Sequence, residues 1–89
     1  MSQEIYFIAA TQERARQLVA QIRQIRLDLE NISVIEDGAE AAQICHPKSE
    51  EFQREVNRGR VLILVGLARP AERDRFIDTM NSWGVAEVR

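Results

Sequence analysis

The chain is expected to fold as one α/β domain over residues 1–89, around a four-stranded sheet assembled from two β-α-β units. Two wholly apolar runs, at residues 5–8 and 61–65, have the length and composition of strands buried on both faces. Each precedes an amphipathic helical pattern. A shift of 58 residues lays Leu18, Val19, Ile22 and Ile25 over Phe76, Ile77, Met80 and Trp83, and Ile5 and Phe7 over Ile63 and Val65. Both halves therefore read strand, helix, strand in one register.

Taken in order, the first strand is Ile5-Tyr6-Phe7-Ile8. Thr11 then offers a helix N-cap, and Glu13 sits in the first turn, where the helix dipole favours a carboxylate. Ala15, Leu18, Val19, Ile22 and Ile25 recur at three- and four-residue spacing and form a core-facing stripe. A second strand covers Ile32, Val34 and Ile35; the alternation Ile32-Ser33-Val34 suits an edge with one face towards water. Asp37 can cap a short helix running to Cys45, with Glu40 in capping-box position, and Pro47 interrupts it. Ser49 can start another helical piece carrying Phe52 and Val56, closed by Gly59. The third strand spans residues 61–65. Pro70 suits the first position of a last long helix that presents Phe76, Ile77, Met80 and Trp83 and ends at Gly84. Residues 85–88 read as a final short strand.

The two apolar strands belong in the centre of the sheet and the other two at its edges. A ferredoxin-like sheet, with the first and third strands antiparallel, meets that demand and is the favoured reading. A small doubly wound parallel sheet is the alternative. With both long helices on one side, the ferredoxin-like sheet leaves its second face apolar and open. A homodimer through that face, or the middle helical segment folded back over it, would close it.

Composition narrows the class. At 45% hydrophobic and 29% charged residues, the chain lies in the ordinary globular range. Its net charge of −2 gives no general attraction to nucleic acid or anionic membrane. No apolar run is long enough to span a bilayer, no leader pattern opens the chain, and one cysteine suits a reducing cytoplasm. Eleven of the twelve basic residues are arginine, Lys48 being the exception, which fits an arginine-rich bacterial coding bias.

The stretches Ile5-Tyr6-Phe7-Ile8, Glu13-Arg14-Ala15 and residues 27–35 (LDLENISVI) resemble the first β-α-β unit of the bacterial general stress protein family, which carries a heat-induced stress protein domain. Residues 59–65 (GRVLILV) and Trp83-Gly84-Val85 resemble the second unit of related small bacterial proteins. The likeness spans about two thirds of the chain by pattern and departs from it in the middle, where relatives often carry glycine-rich helices. That family has no known biochemical activity, so the resemblance implies a fold and transfers no catalytic residue.

Chemistry is sparse. Cys45-His46 is a poor nucleophile–base pair, because adjacent residues at a helix end diverge; Cys45 reads as a small semi-buried hydrophobe and His46 as a solvated loop residue. Asp28, Glu30, Glu36, Asp37 and Glu40 lack calcium-loop spacing and read as a solvated acidic edge that discourages aggregation. Gly66 stands alone and makes no phosphate loop. No catalytic residue, metal site or cofactor is expected. Arg73 is out of pattern, since the 58-residue shift sets it on Ala15, within the apolar stripe. With Arg69 at the start of the last helix, and Thr11 and Arg14 at the start of the first, it could form an anion site for a small phosphate or carboxylate ligand. Such a site needs both helix starts at one end of a parallel sheet. Arg16 and Arg23 share an exposed stripe, too few for a nucleic-acid face. The functional expectation is a non-enzymatic interaction or regulatory domain that self-associates or binds a protein partner. A small-molecule or nucleotide sensor is the alternative.

Overall fold

The computed structural model describes residues 3–88; Met1 and Ser2, read above for a leader, and Arg89 lie outside them. In chain order the elements are β1 (Gln3–Ala9), α1 (Gln12–Arg23), β2 (Leu29–Ile35), α2 (Gly38–Ala42), α3 (Ser49–Asn57), β3 (Val61–Leu67), a 3-10 turn at Pro70–Glu72 and α4 (Arg73–Ser82). Among the described residues the sheet has three strands in the order β1-β3-β2, and β3 is antiparallel to both neighbours.

This corrects both four-stranded expectations. The doubly wound arrangement fails because β1 and β3 run in opposite directions, with Gln3 opposite Leu67 and Ala9 opposite Val61. The reason lies in the helices between β2 and β3. They have five and nine residues, so at 1.5 Å per residue neither reaches the far end of a strand, as a parallel crossover requires. Together they go out and come back, and β3 returns alongside β2. The four-stranded ferredoxin-like sheet fails at its last member. Residues 85–88 meet β1 only through a single antiparallel bridge, Phe7 to Glu87, and a hydrogen bond from Val88 N to Tyr6 O at 2.8 Å. Its Glu87 carboxylate is held by Arg73, and among the described residues the pairing does not extend beyond that bridge.

The helices start and stop where local chemistry directs them. Thr11 Oγ1 accepts from Arg14 N at 3.1 Å and caps α1. Asp37 Oδ1 accepts from Ala39 N at 2.9 Å and caps α2. Gly59 and Gly84 follow α3 and α4 with φ of 90° and 79°, the left-handed conformation that ends a helix with least strain at glycine. Pro70 opens a 3-10 turn instead of the α-helix itself, which begins three residues later.

Two cores lie on the two faces of the sheet. On one, Ile5, Phe7, Ile63 and Val65 meet Leu18 and Ile22 of α1 and Phe76 and Met80 of α4. On the other, Tyr6 and Leu62 meet Ala41 of α2 and Phe52 and Val56 of α3. Two covers were expected for this face, a twin molecule or the middle helical segment, and the chain's own α2 and α3 supply it. Gly66 is the one small residue on β3. A side chain there would collide with Asn31 Oδ1, so glycine lets the Asn31 side chain of β2 lie across the strand.

Candidate interaction surface

The four residues considered for anion binding fall into two separate places. Thr11 and Arg14 follow the Ala9 end of β1, and Arg69 and Arg73 follow the Leu67 end of β3; the register sets these ends at opposite sides of the sheet. Thr11 serves as the α1 cap. Arg14 Nη2 donates to the Trp83 carbonyl at 2.9 Å, so its charge completes the C-terminus of α4. Arg69 faces Asp28 at 3.5 Å, and both are exposed. Arg73 Nη2 donates to Glu87 Oε2 at 2.6 Å, tying the start of α4 to the C-terminal segment. The structure thus brings each arginine to a protein partner and does not gather the four around one cavity.

Cys45 and His46 exchange their expected environments. Cys45 is exposed. His46 is half-buried, its ring 4.6 Å from that of Tyr6 and 5.0 Å from that of Phe52. Its Nδ1 accepts from Lys48 N at 3.0 Å. The reading of His46 as a solvated residue is corrected: the turn before Pro47 folds the imidazole onto the second core, where it extends the apolar cover. No group of three or more His, Cys, Asp or Glu is arranged to hold a metal ion among the described residues.

The most open apolar feature lies along β2. Among the described residues this strand is an edge, with β3 on one side and no strand on the other. Its outward row of N–H and C=O groups is a template for pairing with another strand. Val34, 43% exposed, is the exposed large hydrophobic among the described residues. It belongs to the face of the sheet that carries α1, being opposite Ile63. Between Val34 and α1 runs a groove of about 470 Å³, floored by Ala15, Val19 and Ala20 and bounded by Arg16, Arg23 and Glu36. A second hollow of about 400 Å³ continues past Arg23 to Ile32, Leu29 and Glu30. Below Ile32 the strand is interrupted by a bulge between Leu29 and Asn31, so its regular part is the upper half.

The amphipathic stripe of α1 predicts one wall of this groove, and the Ile32-Ser33-Val34 alternation predicts an edge. The groove itself was not legible, because Arg16 and Arg23 carry the pattern of an ordinary solvated stripe and nothing local tells which strand edge α1 overhangs. Compared with protein-family models, with curated proteins and with solved structures, the chain matches none. No described helix is long and apolar enough to cross a membrane.

Proposed function

We propose that this chain is a non-enzymatic interaction domain that engages a protein partner by strand addition along the free edge of β2. The observation that carries the reading is the coincidence, on one edge, of a strand unpaired on its outer side among the described residues, an exposed valine and an apolar groove overhung by α1. Strand addition draws affinity from main-chain hydrogen bonds and specificity from hollows that take alternate side chains, and β2 offers both. A reducing cytoplasm suits the exposed, unbonded Cys45. Anion sensing has no comparable support, since Arg14, Arg69 and Arg73 are each engaged within the fold.

The test is quantitative affinity capture from a lysate of the native host, comparing the full chain with its Val34→Lys variant. A lysine on a strand edge opposes pairing, and Val34 is open enough to accept it without refolding. At least one protein, which can be this chain itself, should be retained by the wild type and lost in the variant. Retention of no protein in a Val34-dependent way would overturn the proposal.

A further inference from the structure

We infer that the occupant of the β2 edge is a second copy of this chain, its β2 paired antiparallel with the first about a two-fold axis at Val34. The inference rests on the interaction-domain reading and gives the partner's identity. Two identical antiparallel strands can meet only in registers that set residues of the same face opposite each other. Centring the pairing on Ile32 runs it into the bulge at residues 29–31. Centring it on Ser33 sets Glu30 against the partner's Glu36, twice by symmetry, and like charges directly opposite repel. Centring it on Val34 avoids both conflicts.

In that register Val34 meets the partner's Val34, Ser33 meets the partner's Ile35, and Ile32 meets the partner's Glu36. Arg23 borders the same hollow as Ile32. The partner's Glu36 carboxylate therefore arrives beside the Arg23 guanidinium, and the two-fold axis generates the pair again. Neither Arg23 nor Glu36 has an ion pair within the fold among the described residues, so both charges are available. Above the axis, α1 presents Val19 and Ala20, small enough for its counterpart to approach closely. A strand ending in a carboxylate, beside a helix whose guanidinium lies towards the other end, is complementary to its own copy. Five residues of each strand take part, a short contact, so the dimer forms and dissociates readily.

Sedimentation velocity on the full chain from about 10 μM to about 1 mM, at low salt, tests this. The wild type should pass from monomer to dimer across the range, while Val34→Lys stays monomeric with an unchanged circular dichroism spectrum. Arg23→Glu should weaken the dimer by about tenfold or more, and Arg23→Glu combined with Glu36→Arg should restore it to within about threefold. A wild type that stays monomeric at the top of the range overturns the inference. So does a dimer indifferent to Val34→Lys, or a charge exchange that fails to restore association. If the chain is monomeric yet captures another protein in a Val34-dependent way, the second copy is excluded and the interaction-domain reading stands.

Discussion

The two faces of the sheet are built to different standards. One carries fourteen buried core residues among those described, drawn from β1, β3, α1, α4 and the C-terminal segment. The other carries six, and its cover is α2 and α3, which together supply only Ala41, Phe52 and Val56 as buried side chains. The first face is closed by helices of twelve and ten residues whose apolar stripes run their full length. The second is closed by two short helices and by the His46 ring laid against the stacked rings of Tyr6 and Phe52. Burial on the first face supplies most of the folding free energy, because apolar area removed from water sets its scale. The second face keeps water off the central strands with much less material, and local opening should begin there.

The largest effect that would sharpen this contrast comes from removing one phenylalanine from each side. Phe76→Ala should cost about 3–5 kcal/mol in chemical denaturation, and its hydrogen exchange should speed up throughout the chain. Phe52→Ala should cost about 3 kcal/mol, the lower end, since a thin cover collapses more easily around a lost side chain. Exchange should then accelerate mainly in α2 and α3 while β1 and α1 stay protected. Equal, chain-wide acceleration in both variants would break the comparison.

A smaller effect is expected from alkali. The Tyr6 phenol is pushed up to about 12, first by burial, then by its hydrogen bond to Glu4 and the charges of Glu4 and Cys45. The folded state thus holds the proton more tightly than the unfolded chain, whose phenol titrates near 10. The contribution is fully present below pH 10 and is lost as pH rises from 10 to about 12, at most about 3 kcal/mol. Tyr6 is the only tyrosine, so tyrosinate absorbance reports it directly. Tyr6→Phe should flatten the stability profile over that range; an unchanged slope would show that the second face does not shield the phenol.

The smallest effect concerns the caps. Thr11→Ala should cost about 1 kcal/mol of global stability, because α1 belongs to the larger core. Asp37→Ala should cost about 0.5–1 kcal/mol, read as faster exchange confined to α2 and α3. Thermal denaturation and hydrogen exchange on the two variants would separate the global loss from the local one.

The parts of this fold that were legible in the sequence are those whose signal is local. Residues 5–8 and 61–65 lie within β1 and β3, and the α1 stripe through Leu18 and Ile22 packs as its spacing requires. The closing glycines, Gly59 and Gly84, adopt the positive φ that ends a helix. What escaped depends on distant partners. The bond between Arg73 and Glu87 joins residues fourteen apart and holds the segment in which an expected strand is a single bridge among the described residues. The middle helical segment was one of two covers expected for the second face, with a break at Pro47. The break lets the chain double back, and that return makes β3 antiparallel to β1. Of the proposed surface, the alternation in β2 was visible, but its alignment beneath Arg23 and Val19 follows from where α1 crosses the sheet.

The out-and-back path of residues 36–60 has one more consequence. Ile35 and Leu62 are cross-strand partners, so the segment leaves and re-enters the sheet at neighbouring positions. Between those two points the chain must keep Ala41, Phe52 and Val56 on the second face and must leave and rejoin the sheet at neighbouring strand positions. Because closure entropy grows slowly with loop length, the exposed residues 57–60 of that path can lengthen at little cost to the remainder. An inserted reporter domain would be best tolerated at that port.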